Sequence, residues 1–126
     1  MKEDDVATRL IRDYVEGWKE GDPVAILKTL SPDCVVIESH GPTYRGKKQV
    51  NRWIQSWLAE GNTVDGWDIT SLVVCDEVCA CEWVFSYTVR GRQRSFEGAS
   101  IAHLDGSRIA SLREYRMTEA RYEWAG

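Results

Sequence analysis

Two hydrophobic rhythms divide the chain. Up to about residue 60, apolar positions recur every three to four residues; from residue 63 to 116 they alternate or run together in β-branched and aromatic blocks. In the first part, Val6, Leu10, Tyr14 and Trp18 fall at intervals of four, and Ile11 and Val15 widen the stripe, which predicts a helix over residues 3–20. Gly21 ends it. Asp22-Pro23 then supplies an N-cap and a proline suited to the first helical position. Val24, Ile26, Leu27 and Leu30 form the apolar side of this second helix, which Ser31-Pro32-Asp33 breaks. Residues 34–38 read as a buried strand, running into the loop Glu38-Ser39-His40-Gly41-Pro42. A short extended piece, residues 43–46, precedes a third helix over 47–60, with Val50, Trp53, Ile54, Trp57 and Leu58 on one face and Gly61-Asn62 as its stop.

The second part is predicted to be three or four long strands joined by tight turns. Residues 67–75 lead into an Asp76-Glu77 turn, and residues 78–89 return to Arg90-Gly91-Arg92. Residues 95–104 come next, then Asp105-Gly106, and residues 108–117 close the set. Alternation assigns faces. Cys79, Cys81, Trp83, Phe85 and Tyr87 share one face; Ala80, Glu82, Val84, Ser86 and Thr88 share the other. Phe96, Gly98, Ser100 and Ala102 oppose Glu97, Ala99, Ile101 and His103. Leu112, Glu114 and Arg116 oppose Arg113 and Tyr115. The aromatic set is expected to face the helices. Residues 118–126 form a charged tail carrying Tyr122 and Trp124.

Helices followed by a run of strands give an α+β fold. A long twisted antiparallel sheet with helices on one face curls into a cone, whose inner face and helices enclose a pocket. The whole chain, residues 1–126, reads as a single domain, with no repeat or linker. Composition agrees: 43% hydrophobic and 29% charged residues are those of an ordinary globular domain. The net charge of −4 and pI of about 5.2 argue against nucleic acid as a partner. Arg90, Arg92 and Arg94 cluster only at a hairpin tip, where a solvated turn accounts for them. The charged start has no apolar run after it, so neither a signal peptide nor a membrane span is expected, and the cytoplasm is the expected location. Cys34, Cys75, Cys79 and Cys81 read as core thiols; one C-x-C pair without a second ligand pair does not make a zinc site. No phosphate loop, H-E-x-x-H or G-x-S-x-G motif occurs, so neither metal nor cofactor is expected.

Several segments resemble the NTF2-like superfamily, in order along the chain. Tyr14-Val15-Glu16-Gly17-Trp18-Lys19-Glu20-Gly21-Asp22 resembles its first-helix signature. Ser31-Pro32-Asp33-Cys34-Val35-Val36 resembles the start of its first strand, and Tyr44-Arg45-Gly46-Lys47-Lys48-Gln49-Val50 is similar to the start of its third helix. Phe96-Glu97-Gly98-Ala99-Ser100 and the segment from Asp105 to Tyr115 resemble its last hairpin. The likeness favours the SnoaL-like branch. It implies a cone-shaped curved antiparallel sheet wrapped around N-terminal helices, the cystatin-like or NTF2-like roll. That fold hosts isomerases, dehydratases, cyclases, epoxide hydrolases and non-catalytic binding or scaffold modules, so function must be argued from the site.

Within the superfamily, likeness to the ketosteroid isomerases implies three positions: Tyr14 for their helix tyrosine, Glu38 for their carboxylate base and Ser100 where they place a second acid. In those relatives a neutral acid donates half of the oxyanion hole, and a serine hydroxyl is a weaker donor. An inward Glu38 would lose hydration among aromatic rings and its pKa would rise towards the range useful for taking a proton. Tyr14 would stabilise a developing oxyanion. Glu114 or Arg116 would orient the substrate or tune Glu38. The competing reading makes Glu38 a structural partner of Arg116 or Arg45 at the mouth of the cone. His40 in its Gly-Pro loop is either a rim acid–base or solvated. Trp18, Trp53, Trp57, Trp83, Phe85 and Phe96 are the expected walls, although Trp53 and Trp57 read first as core packed on Trp67 or Trp83.

These residues admit two kinds of function. One is a cofactor-independent isomerase, dehydratase or cyclase acting on a hydrophobic carbonyl compound. The other is a non-catalytic ligand-binding or dimeric interaction module. Relatives commonly dimerise through the outer sheet face. Here that face mixes Glu82, Val84, Ser86, Thr88, Ile101, His103 and Tyr115, which predicts a homodimer. A hydrophobic small molecule is the other expected partner.

Overall fold

A computed structural model describes residues 5–126. The first two residues of the first predicted helix lie outside that range. The elements run α1 (Val6–Glu20), α2 (Pro23–Lys28), β1 (Leu30–Ile37), β2 (Thr43–Arg45), α3 (Gly46–Ala59), β3 (Thr63–Cys75), β4 (Val78–Val89), β5 (Arg92–Asp105) and β6 (Arg108–Arg116). The residues from 63 to 116 thus make four strands.

Both helix starts follow capping chemistry. Asp5 accepts from the Ala7 N–H at 2.8 Å, and Asp22 from the Ala25 N–H at 3.2 Å with Pro23 behind it. Gly21 closes α1 in the left-handed conformation, φ 65°. A closer approach is fixed at Gly17, where an added Cβ would come within 2.8 Å of Ile26 Cγ1, so α2 packs directly on α1.

The second helix is shorter than expected. Leu30, Ser31, Pro32 and Asp33 belong to β1 rather than to a helix end and a break. Pro32 is tolerated because the β1–β6 pairing slips between Leu30 and Val35, where a ladder N–H is not needed.

The six strands form one unclosed sheet in the order β2-β1-β6-β5-β4-β3. All neighbours are antiparallel except β1 and β6, which run parallel. That pairing brings the first strand beside the last and places β1 in the middle of the chemistry. The Arg90-Gly91 hairpin has positive φ at both central residues (53° and 76°), the primed turn that suits twisted strands.

The expected faces hold across β4, β5 and β6. Cys81, Ser100 and Glu114 form one inward row, and Trp83, Gly98 and Arg116 the next. The core lies between this face and α1 and α3, with Tyr14, Ile26, Leu30, Val36, Val50, Ile54, Ile109 and Leu112 essentially sealed. Cys34, Cys79 and Cys81 are buried, as expected of core thiols, but Cys75 is exposed at the β3–β4 turn. The tail after β6 has no regular structure. Arg121 ties it to Glu97 at 2.7 Å, and Tyr122 and Trp124 stay 82% exposed.

Candidate functional site: an aromatic cavity with two carboxyl groups

Parallel pairing of β1 with β6 sets the centre of the site. Val36 lies opposite Leu112 and Ile37 opposite Arg113. Continuing that offset by one residue sets Glu38 beside Glu114, on the inward face that Val36 and Leu112 share. Antiparallel pairing of β1 with β2 sets Tyr44 opposite Val36 on the same face. The connecting turn is closed by Glu38 N–H to Pro42 O and Gly41 N–H to Glu38 O, both 2.9 Å. Tyr44 then donates its hydroxyl to Glu38 Oε1 at 2.6 Å and stacks on Trp53, 4.2 Å between centroids at 6°.

Glu38 is therefore held by a tyrosine, not by an arginine. Neither Arg45 nor Arg116 pairs with it; the basic side chain beside it is His40, whose Nε2 lies 4.0 Å from Oε1. Burial pushes the Glu38 pKa up, while the Tyr44 hydrogen bond and His40 oppose the rise. Glu114 has no such donor. Burial first, and the neighbouring Glu38 charge second, push its pKa up to about 8. The two adjacent carboxyls thus differ in surroundings: Glu114 keeps its proton at neutral pH, while a hydrogen-bond donor and a basic neighbour work against the rise at Glu38.

A cavity of about 130 Å³ opens in front of them, lined by fifteen residues from four strands, two helices and the Glu38–His40 loop. Its walls are rings in edge and tilted contact, such as Trp18 on Trp53 (4.8 Å), Trp67 on Phe85 (5.0 Å) and Trp83 on Phe96 (5.9 Å). Three polar atoms on this lining are buried and unpaired: the Tyr14 hydroxyl, Trp18 Nε1 and Trp67 Nε1. The Trp18 N–H lies near the Tyr14 oxygen and favours its ionised form, yet misses hydrogen-bond geometry. Burial dominates and pushes the Tyr14 pKa well up, so Tyr14 is a neutral donor. A buried donor without a partner costs about 1–3 kcal/mol, which an acceptor in the cavity would recover.

The structure brings together Tyr14, Glu38, His40, Trp18, Trp53, Trp57, Trp83, Phe85, Phe96, Glu114 and Arg116 around this one space. Ser100 is not among the lining. It is buried behind Trp83, whose Nε1 donates to its hydroxyl at 2.9 Å. An acid does stand next door: Glu114 is the cross-strand partner of Ser100. Trp53 and Trp57 pack on Trp18, Tyr44 and Tyr87 rather than on Trp67 or Trp83. Sequence reasoning missed Tyr44, Trp67 and Tyr87 as lining or supporting residues. Tyr44 had a signal: a Gly-Pro turn folds it back onto Glu38, six residues before it. Among the described residues, no group of three or more His, Cys, Asp or Glu side chains is placed to hold a metal ion. No described helix is long and apolar enough to cross a membrane.

Comparison with known proteins agrees with this architecture. No curated protein sequence matches the chain. Among solved structures, an LEH-like epoxide hydrolase of M. tuberculosis superposes with a TM-score of 0.80 at 14% identity, over 89% of this chain and 83% of that one. A ketosteroid isomerase-like protein of Catenulispora acidiphila, in complex with trimethylamine, gives 0.73 at 20% identity over 84% and 83%. A putative SnoaL-like polyketide cyclase of Shewanella denitrificans gives 0.77 at 13% identity over 89% and 90%. At these identities the likeness establishes the fold, an NTF2-like curved sheet. The model of the SnoaL-like domain matches residues 11–112, from the first helix to the last strand, and the chain belongs to that family.

Proposed function

We propose that the protein binds a hydrophobic carbonyl compound in the aromatic cavity and moves a proton on it without a cofactor, as an isomerase, dehydratase or cyclase does. The observation that carries this reading is the pair of adjacent carboxyls, one with a hydrogen-bond donor and one without, at a cavity that Tyr14, whose buried hydroxyl is unpaired, also lines. The Glu38 carboxylate takes a proton from the carbon next to the carbonyl. The C–H electrons become the enolate C=C bond, and charge collects on the carbonyl oxygen. Tyr14 and the protonated Glu114 donate hydrogen bonds to that oxygen. Glu38 then returns the proton to a different carbon, or a hydroxide is lost from the β position with help from a donor at the rim. We assign that second transfer to His40, 4.0 Å from Glu38. The neighbour described as a putative SnoaL-like polyketide cyclase is in keeping with carbonyl chemistry on this scaffold.

The test is isomerisation of 3-cyclohexen-1-one to its conjugated isomer, with deuterium uptake followed by NMR in heavy water. Glu38→Gln is expected to abolish the reaction with an unchanged circular dichroism spectrum. Tyr14→Phe and Glu114→Gln are each expected to slow it about 10²-fold, as loss of one oxyanion donor does. Turnover that survives Glu38→Gln removes the proposed base.

One observation favours a second reading, binding without turnover: Glu38 Oε1 is already occupied by Tyr44 at 2.6 Å. A wild-type protein that binds small cyclic ketones yet never exchanges their α-protons would decide for it.

A further inference from the structure

Among the polar groups on the cavity lining, two sets of donors stand apart. At the floor are the Tyr14 hydroxyl, the Trp18 and Trp67 indole N–H groups and the protonated Glu114. At the rim is Arg116, exposed, with its guanidinium carbon 4.0 Å from the centre of the Phe96 ring. Among the described residues, Arg116 is the one permanent cation on the lining, and no carboxylate lies within ion-pair distance of it. Its one hydrogen bond, Nε to Met117 O, is long at 3.4 Å. The Phe96 ring supports the head without using the donors on its outer nitrogens.

The spacing of the two sets is set by the strand. Glu114 and Arg116 are alternate residues of β6, so they face the same way about 7 Å apart. That span is about the distance between substituents at opposite ends of one six-membered ring. The cavity volume, about 130 Å³, is close to that of engineered protein cavities which take up one benzene molecule, about 150 Å³.

Resting on the proposed carbonyl chemistry, we infer that the substrate is a compound of about one ring that carries a carboxylate opposite its carbonyl, and that Arg116 is the residue that selects it. The carbonyl oxygen meets the donors at the floor. The carboxylate meets the Arg116 fork at the rim, where two parallel N–H···O bonds give orientation as well as charge pairing. Glu38 is held by Tyr44 and makes no ion pair with that fork, so the fork is left for the acid end of the ligand. Arg116 is a specificity residue in this scheme and touches no reacting atom.

The probes are 4-hydroxybenzoate, whose phenol mimics an enol and whose carboxylate lies opposite, and its neutral counterpart 4-hydroxybenzamide. Affinities are read by tryptophan fluorescence and calorimetry at pH 7, with melting curves confirming that each variant is folded. The benzoate is expected to bind at least tenfold more tightly than the amide. Arg116→Gln is expected to bring the two affinities within about threefold of each other, and Arg116→Lys to restore part of the preference. Equal affinities in the wild-type protein overturn the anchor, as does a preference that survives Arg116→Gln, or binding of neither probe. The two-ring 6-hydroxy-2-naphthoate is expected to bind at least tenfold more weakly than the benzoate; equal binding overturns the one-ring limit. Tyr14→Phe is expected to weaken both benzoate and amide alike. If it weakens neither while the Arg116 effect holds, the anchor stands and the carbonyl floor falls. Cyclohexenone exchange reports on the floor independently of both.

Discussion

Glu114 is the residue on which the electrostatics of the site depend, and it gives the fold a dependence on pH. An unfolded glutamate titrates near 4.3; in the fold this one is pushed up to about 8. The folded state therefore holds the proton more tightly than the unfolded state. Its contribution to stability is complete below about pH 4.3 and is lost as pH rises through the window to about 8. In urea titrations, Glu114 is expected to lower stability across that window by at most about 1.4 kcal/mol per pH unit, the limit for one proton. Glu114→Gln is expected to flatten the slope; an identical slope would place the titration elsewhere. Tyr44 acts on the other carboxyl with the opposite sign. Its hydrogen bond holds the Glu38 pKa down against burial, so Tyr44→Phe is expected to move the Glu38 midpoint upward in a carbon-13 NMR titration. At this scale the sequence was readable in part. Glu38 and Tyr14 follow from spacing shared with relatives, and Glu114 from its parity with Leu112. That Glu114 lies beside Ser100 depends on which strand pairs with which, a long-range fact that no local pattern carries.

At the scale of elements, β4, β5 and β6 were legible because their register is unbroken through the site, so a period of two carries each side chain to its predicted face. Strand β3 was not. It slips between Val64 and Gly66 and again between Ile69 and Ser71, and each bulge reverses the parity of the residues beyond it. Trp67 and Ile69 face inward, and so do Leu72 and Val74, which simple alternation puts on the opposite side. Strand β2 has three residues, too few to alternate, which hid Tyr44. The expected break at Ser31-Pro32-Asp33 failed for a related reason: an irregular stretch of strand admits a proline as readily as a helix end does. The sheet also depends on one missing side chain. A Cβ on Gly98 would lie 2.3 Å from Tyr115 O and 2.5 Å from the Trp83 ring, so the indole crosses β5 only because nothing stands there. Gly98→Ala must move a backbone or the largest wall of the cavity. It is expected to cost about 1–3 kcal/mol in urea unfolding, as overpacking does, and to change the fluorescence of Trp83. A melting curve equal to that of wild type would mean that the ring has another place to go.

The whole molecule presents two surfaces of unlike character. The concave one is used by the helices and the cavity. The convex one carries a row of apolar positions across three strands, Val73, Ala80 and Ile101, in direct register, with Tyr115 nearby. Val73 is 66% exposed, Tyr115 45% and Ile101 38%, an amount of open apolar surface that single scattered side chains do not explain. Around it lie paired polar groups, Ser71 on Glu82 at 2.8 Å and Ser86 on Ser95 at 3.1 Å, which suit a rim that meets water. The tail adds to this side: Met117 N–H bonds Glu97 O at 2.9 Å, Arg121 pairs with Glu97, and Tyr122 and Trp124 are left outside. A second copy related by a two-fold axis would set the row against itself and cover both rings. Sedimentation velocity over a dilution series is expected to show a homodimer, and Ile101→Asp to release monomers by placing two carboxylates at the centre of the contact. Because Ile101 faces away from the cavity, 4-hydroxybenzoate binding should be the same in monomer and dimer. A monomer at every concentration would leave the convex face without a partner, while an affinity that falls with dissociation would mean that the cavity needs the second subunit to hold its shape.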